Sequence, residues 1–276
     1  QKSEALLLNM LPESISNRLK SIENHENIAD FFESVTILFV DVVGFTQYSS
    51  TRSPVEIVNF LNMLFQGLDR LVDKYGLEKI KTIGDAYMVA SGLKMEEDHT
   101  LAMLEFSLDV LRFVQEVNIA DSFVSHGLGV RIGIGTGSVV AGVVGSKKRF
   151  FDLWGDAVNT SSRMESTGIE NCIQCTEDVA LVARQYPAKF AVVDRGFIDI
   201  KGKGEMEVFL VGDKTSERLI RKSLHRHCRL KERESIITYE KMTQELNPGF
   251  HRKRIIWLAV SFSAGFLVGS FGIRKR

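Results

Sequence analysis

A chain of 276 residues with 44% hydrophobic residues is long and apolar enough to bury the core of one domain of roughly 200 residues and still carry appendages. That excludes a disordered protein. Formal charge is zero overall, yet residues 215–276 hold 14 Lys/Arg against 5 Asp/Glu, a surplus of nine positive charges that leaves nine negative ones in surplus on residues 1–214. The basic part is the tail alone, and no nucleic-acid partner is expected.

Along residues 5–28, Leu7, Leu8, Leu11, Ile15, Leu19 and Ile22 recur at helical spacing, the stripe of a lead-in helix suited to dimerise, with Pro12 splitting it. Val35 to Val40 is β-branched and apolar, a buried strand ending in Asp41. Ser53, Pro54 and Glu56 supply an N-cap, a first-position proline and a capping-box partner for a helix running to about Tyr75, where Gly76 stops it. Lys79 to Met88 reads as a strand, a Gly84-Asp85 turn and a second strand. An amphipathic helix over about 99–117 and the apolar run Leu128 to Ile134 complete a β-α-β-β-α-β order, the ferredoxin-like core of an α/β (α+β) fold. Right-handed crossovers set the first two strands parallel with the third antiparallel between them. Asp41 and Asp85, 44 positions apart, then meet at one sheet edge.

Beyond Gly135 the pattern predicts a C-terminal αβ extension: a hairpin over 139–144, a strand over 150–154, a helix over about 156–165 and a last hairpin begun by Lys201-Gly202-Lys203-Gly204. Cys172 and Cys175, where a short strand meets an N-cap at Thr176, lack the second ligand pair of a zinc site and read as structural; with Cys228 they make no disulfide framework. Ile255 to Ile273 is nineteen uncharged residues between Arg252-Lys253-Arg254 and Arg274-Lys275-Arg276. As a helix it spans about 28 Å, enough to cross a bilayer, and its lack of a polar face argues against a buried core helix. Equally basic flanks give no orientation. The chain opens on Gln1 without a signal peptide, as a fragment of a longer protein would.

Two acidic side chains at a strand end and a turn are what a hard divalent cation such as Mg²⁺ needs, and without one their like charges repel. The turn Val42-Val43-Gly44-Phe45-Thr46 offers backbone N–H groups to a phosphate. Asn159 and Arg163, four apart, share one helical face and can reach one ligand, although the polar outer face of an ordinary helix reads the same way. Lys201, Lys147, Lys148 and Arg149 are candidates for a polyphosphate, and each is equally readable as a solvated loop charge.

Four ordered blocks carry a resemblance: Phe39-Val-Asp41-Val-Val-Gly44-Phe45-Thr46, Lys79-Ile-Lys81-Thr-Ile-Gly84-Asp85-Ala-Tyr87, Gly133-Ile-Gly135-Thr-Gly137, and Phe151-Asp152-Leu-Trp-Gly155-Asp156-Ala-Val-Asn159-Thr-Ser-Ser-Arg163-Met-Glu-Ser. Over about Glu33 to Gly212 the chain resembles the catalytic domain of class III nucleotidyl cyclases, and Leu11-Pro-Glu-Ser-Ile-Ser-Asn-Arg-Leu resembles the linker helix before such domains in membrane cyclases. The resemblance implies two Mg²⁺ ions, or Mn²⁺, held by Asp41 and Asp85 with Val42 among the metal-binding positions. It gives Asn159 the ribose, Arg163 the α-phosphate in the transition state, and Lys201 and Lys147 the terminal phosphates. Gly44, Phe45 and Thr46 join the substrate-binding set. The site is expected between two head-to-tail copies, so that one chain alone is inactive.

Within the family, a lysine and an aspartate at the purine-reading positions go with ATP, and a glutamate with, commonly, a cysteine goes with GTP. Here they are Lys81 and Asp152. A lysine donates to adenine N1 and an aspartate accepts from the N6 amino group, and guanine presents the opposite pattern. The expectation is an adenylyl cyclase that makes 3′,5′-cyclic AMP and pyrophosphate by attack of the ribose 3′-oxygen on the α-phosphorus. It is expected to be a homodimer held at a membrane by its C-terminal helix with the catalytic part on the cytoplasmic side, where ATP is. Its divisions are a linker helix (1–32), the catalytic domain (33–213), a basic linker (214–254) and the membrane helix (255–273). A guanylyl cyclase, which the Gly84-Asp85-Ala86-Tyr87 block favours, and a silent regulatory pseudocyclase are the alternatives.

Overall fold

The computed structural model describes residues 29–94, 98–120, 128–145 and 150–246. In chain order the elements are β1 (Ala29–Val42), α1 (Phe45–Ser50), α2 (Pro54–Tyr75), β2 (Glu78–Ile83), β3 (Ala86–Ser91), α3 (His99–Ala120) and β4 (Val130–Val144). There follow β5 (Phe150–Trp154), α4 (Asp156–Ser166), β6 (Ile173–Cys175), α5 (Glu177–Gln185), β7 (Phe190–Ile200), β8 (Gly204–Asp213) and α6 (Glu217–Leu246). The sheet order is β2-β3-β1-β4-β6-β8-β7, with β5 paired to β4. All pairings are antiparallel except β4 with β6. The first four strands thus have the expected ferredoxin-like arrangement, in a mixed α+β fold.

The apolar run of β1 is continuous because both faces of the sheet are covered. Period-two alternation sends Leu38, Val40 and Val42 to a core shared with Phe60, Leu64, Leu68 and Val72 of α2 and with Met103 and Phe106 of α3. Val35, Ile37 and Phe39 go to a second core with Ala157 of α4 and with Phe151 and Leu153 of β5. α2 starts as predicted: Ser53 Oγ accepts the Glu56 N–H, and the Glu56 carboxylate accepts the Ser53 N–H at 2.9 Å. Gly76, at φ +65°, ends it in the left-handed turn that favours glycine.

Two boundaries differ from expectation. β1 begins at Ala29, because Phe31 and Phe32 pair with Val140 and Val139 beyond a bulge between Phe32 and Val35. Asp30, Glu33 and Ser34 interrupt the apolar pattern there and hide the strand. No hairpin occupies 139–144: β4 runs unbroken from Val130 to Val144 along β1, and its far half pairs with β5. Gly133, Gly135 and Gly137 are where α4 lies on the strand. A Cβ on Gly133 would come 1.9 Å from Glu165 N, one on Gly135 2.7 Å from Ser161 Oγ, and one on Gly137 3.1 Å from Ala157 Cβ. Thr176 does stand at the N-cap of α5, yet its buried hydroxyl makes no capping bond. Cys172 and Cys175 are buried beside it.

The chain divides into two units after Glu217, and α6 runs into the second. Among the described residues no helix is long and apolar enough to cross a membrane. The expected span over 255–273, the lead-in helix over 5–28 and the candidate Lys147 lie outside the described residues.

Candidate active site

Asp41 is the penultimate residue of β1, and Asp85 completes the two-residue turn between β2 and β3, with Gly84 at φ +64°. Because β1 pairs with β3, the end of the one lies beside the start of the other, and the two carboxyl groups come within hydrogen-bonding reach. Burial pushes Asp41 above the usual carboxylate range, and the charge of Glu165 adds to that while Arg131 opposes it. Burial and then the charge of Asp41 push Asp85 up as well. The backbone N–H of Val42 donates to Asp85, and the Val42 side chain is buried, so only its main chain is available to the site.

The donor set fits a divalent cation: two adjacent oxygen acids whose desolvated charges are incompletely compensated. Among the described residues no third His, Cys, Asp or Glu completes a metal-binding cluster with them. Mg²⁺ would draw its remaining ligands from backbone, water and substrate phosphate, as it commonly does. Gly44, at φ +75°, opens the six-residue helix α1, with Phe45 and Thr46 as its first residues; the loop is pinned by Val43 N–H to Gly129 O at 2.9 Å.

Arg131 and Glu165 belong to this edge and escaped the sequence reading. Arg131 sits directly across from Asp41 in the β1–β4 register. It donates Nη2 to Asp41 Oδ2 at 2.5 Å and Nε to Glu165 Oε1 at 2.9 Å. The available signal was a lone arginine in the otherwise apolar run Val130-Arg131-Ile132-Gly133-Ile134. Its partner could be known only from register.

The other predicted pair is also brought together. Lys81 Nζ lies 2.5 Å from Asp152 Oδ2, and Asp152 Oδ1 accepts the Leu153 N–H at 2.9 Å. Asp152 is 7% exposed, and the Lys81 side chain 35%. A bulge in β2 makes this possible. The register passes from Lys79↔Val89 to Lys81↔Met88, one residue too many on β2. Lysines two apart, which a regular strand would aim the same way, therefore diverge. Lys79 turns to Asp69 of α2 and to the ring of Tyr87, Lys81 to β5.

Asn159 is exposed and Arg163 half-buried on α4, the helix seated on the three glycines of β4. Lys201 is exposed on the turn between β7 and β8, and Lys203 of that turn donates to Asp156, which brings the turn to the start of α4. The chain therefore builds an acidic edge with one arginine, a lysine–aspartate pair, and a helix with an amide, a guanidinium and a lysine turn beside it.

Residues 28–213 match the family model described as the adenylate and guanylate cyclase catalytic domain. An adenylate cyclase of Mycobacterium tuberculosis is 44% identical over 217 residues, covering 78% of this chain and 47% of that protein. The soluble guanylate cyclase subunit beta-2 of Rattus norvegicus is 39% identical over 212 residues, covering 76% of this chain and 30% of the subunit. The chain thus spans half or less of the length of these relatives. Among solved structures, the catalytic core of a rhodopsin-guanylyl cyclase with converted specificity, in complex with ATPαS, superposes with a TM-score of 0.61 at 33% identity, covering 67% of this chain and 98% of that one. The fold and these matches agree, and the chain belongs to the adenylate and guanylate cyclase catalytic domain family.

Proposed function

We propose that the protein is an adenylyl cyclase, converting ATP to 3′,5′-cyclic AMP and pyrophosphate. The observation that carries this reading is the Lys81–Asp152 pair: one ammonium donor and one carboxylate acceptor, 2.5 Å apart in a partly buried place. An adenine edge that replaces this contact finds a donor for N1 and an acceptor for its amino group. Guanine would set donor against donor and acceptor against acceptor, at a cost of several kcal/mol. Support comes from the 44% identity to an adenylate cyclase.

Asp41 and Asp85, with the Val42 main chain, would hold Mg²⁺ or Mn²⁺. When bound, the ions supply a lowered pKa at the ribose hydroxyl and charge neutralisation at the leaving oxygen. Lys81 and Asp152 fix the purine, Asn159 orients the ribose, and Arg163 offsets charge developing on the α-phosphate. Lys201 and Lys147 meet the terminal phosphates, with Gly44, Phe45 and Thr46 lining their approach. Arg131, already against Asp41, is a further cation beside that path.

The working form is a head-to-tail homodimer, with acids from one copy and purine pair and α4 from the other. An exposed apolar row supports a pairing surface. Phe31, Val140 and Trp154 lie side by side across three strands, 69%, 37% and 40% exposed, and Val144 faces Phe150 alongside. The basic tail and the apolar segment over 255–273 would hold the protein at a membrane with its catalytic part on the cytoplasmic side. Purified protein given ATP or GTP in turn tests the substrate directly: cyclic AMP from ATP is expected, and preferential cyclic GMP from GTP would reverse the assignment.

A further inference from the structure

Helix ends leave their last carbonyls without partners inside the helix, and most such groups turn to water. The end of α4 is different. Gln174, fully buried on β6, donates Nε2 to Met164 O at 3.0 Å and to Thr167 Oγ1 at 2.8 Å. Arg195 of β7 donates Nη1 to Thr167 O at 2.7 Å and also to the Gln174 carbonyl oxygen. Thr167 in turn donates its N–H and its hydroxyl to Arg163 O, at 3.0 and 2.7 Å. An unbroken chain of bonds therefore runs from Arg195 to the peptide group of Arg163.

Two further features show that this contact is built. Arg195 is the extra residue of a β-bulge: the β7–β8 register skips from Asp194↔Phe209 to Gly196↔Val208, with Gly196 at φ +87°. Such a bulge redirects a side chain off the pairing pattern of its strand. The same hairpin also supports α4 along its length. Met164 is buried against Ile200 and Val208, and Lys203 reaches Asp156 at the helix start. A guanidinium at a helix C-terminus is favoured by the helix dipole as well.

We propose that Arg195, acting with Gln174, is a positioning residue that fixes the last turn of α4 and through it the reach of Arg163. It touches no substrate itself. The proposal rests on the cyclase reading in so far as Arg163 acts in the transition state. A displacement on the order of 1 Å in such a group costs up to about 100-fold in rate.

The test uses the full chain with Arg195→Met, which keeps the length but removes charge and donors, and Arg195→Lys, which keeps a cation without the planar fork. For Arg195→Met, kcat should fall about 10- to 100-fold with KM for the nucleotide changed by less than about twofold, the split expected of an interaction made in the transition state. Arg195→Lys should recover part of the loss. Amide exchange at Thr167 and Gly168, which donate to Arg163 O and Glu165 O, should quicken in the Met variant. Unchanged kcat and unchanged exchange in a folded variant overturn the proposal, as does a rise in KM that accounts for the whole loss. If Arg195→Met does not fold, Arg195→Lys decides: lower kcat at unchanged KM upholds the proposal and wild-type kcat overturns it. If the unaltered protein turns over neither ATP nor GTP, the cyclase reading falls, and exchange at Thr167 and Gly168 alone decides whether Arg195 anchors the helix.

Discussion

Lys81 and Asp85 stand four residues apart on one hairpin and are built on opposite electrostatic principles. Lys81 meets Asp152 as opposite charges, 2.5 Å apart, so the pair neutralises itself without help. Asp85 meets Asp41 as a like charge: burial pushes both up, the charge of Asp41 adds to the rise at Asp85, and the charge of Glu165 adds to the rise at Asp41, where Arg131 offsets it in part. A self-neutral pair is ready for an uncharged planar ligand that offers one acceptor and one donor. A pair of desolvated acids calls for positive charge from outside. One hairpin thus joins a preformed recognition element to an edge that is incomplete until a cation arrives.

The strongest way to break that contrast is to remove the acidic side. Asp85→Ala should lower cyclic nucleotide formation about 1,000-fold or more, the scale of several kcal/mol of metal assistance. The same change relieves repulsion, so the melting temperature without metal should rise while the increment given by Mg²⁺ with nucleotide disappears. Unimpaired turnover would show that the acids hold no catalytic ion. Asp41→Ala mixed with Arg163→Ala sharpens the point. Random pairing makes half the dimers mixed, each with one intact site of two, so about a quarter of wild-type activity should return if the halves come from different copies.

Next in size is the recognition side. Replacing Lys81 with Glu and Asp152 with Cys together should shift the ratio of kcat/KM from ATP toward GTP by about 100-fold or more, since each contact then suits guanine. Lys81→Glu alone sets two carboxylates against each other at a partly buried place and should depress activity with both nucleotides. A double variant that keeps its preference for ATP would mean that the purine is read elsewhere.

Much of this was legible in the chain itself, and the reasons differ from place to place. The capping box at Ser53 and Glu56, the crossover rule that joins Asp41 to Asp85, and the four-residue spacing of Asn159 and Arg163 are local or topological facts, and they reappear in the fold. The part played by Gly133, Gly135 and Gly137 could not be read, because sequence shows a glycine's freedom but not what presses against it. Their use is the close seating of α4 on β4. Arg131 and Arg195 stayed hidden because one takes its place from register and the other from a bulge, and Glu165 because it takes its place from the seating of α4 on β4; none of these can be read from residue type.

The smallest effect concerns a charged cluster remote from the chemistry in role, at the junction of α2 and α3. Asp109 accepts from Lys74 Nζ at 2.6 Å, Tyr75 Oη at 2.7 Å and Arg112 Nη1 at 2.8 Å. Burial would raise its carboxyl, but these donors outweigh burial and hold it below the usual range. A carboxyl depressed in the folded state binds its proton more readily when unfolded. Its contribution is therefore present above the ordinary carboxylate pKa and is lost as pH falls through the folded value. Lys74 and Arg112 are more than half exposed, so screening keeps the contribution to about 1 kcal/mol or less. Asp109→Asn should lower the melting temperature at about pH 7, while at about pH 3 the two proteins should converge, since the aspartic acid is then neutral as well. Added salt should shrink the neutral-pH difference. Equal melting temperatures at neutral pH would show that the three donors hold Asp109 in place without stabilising the fold.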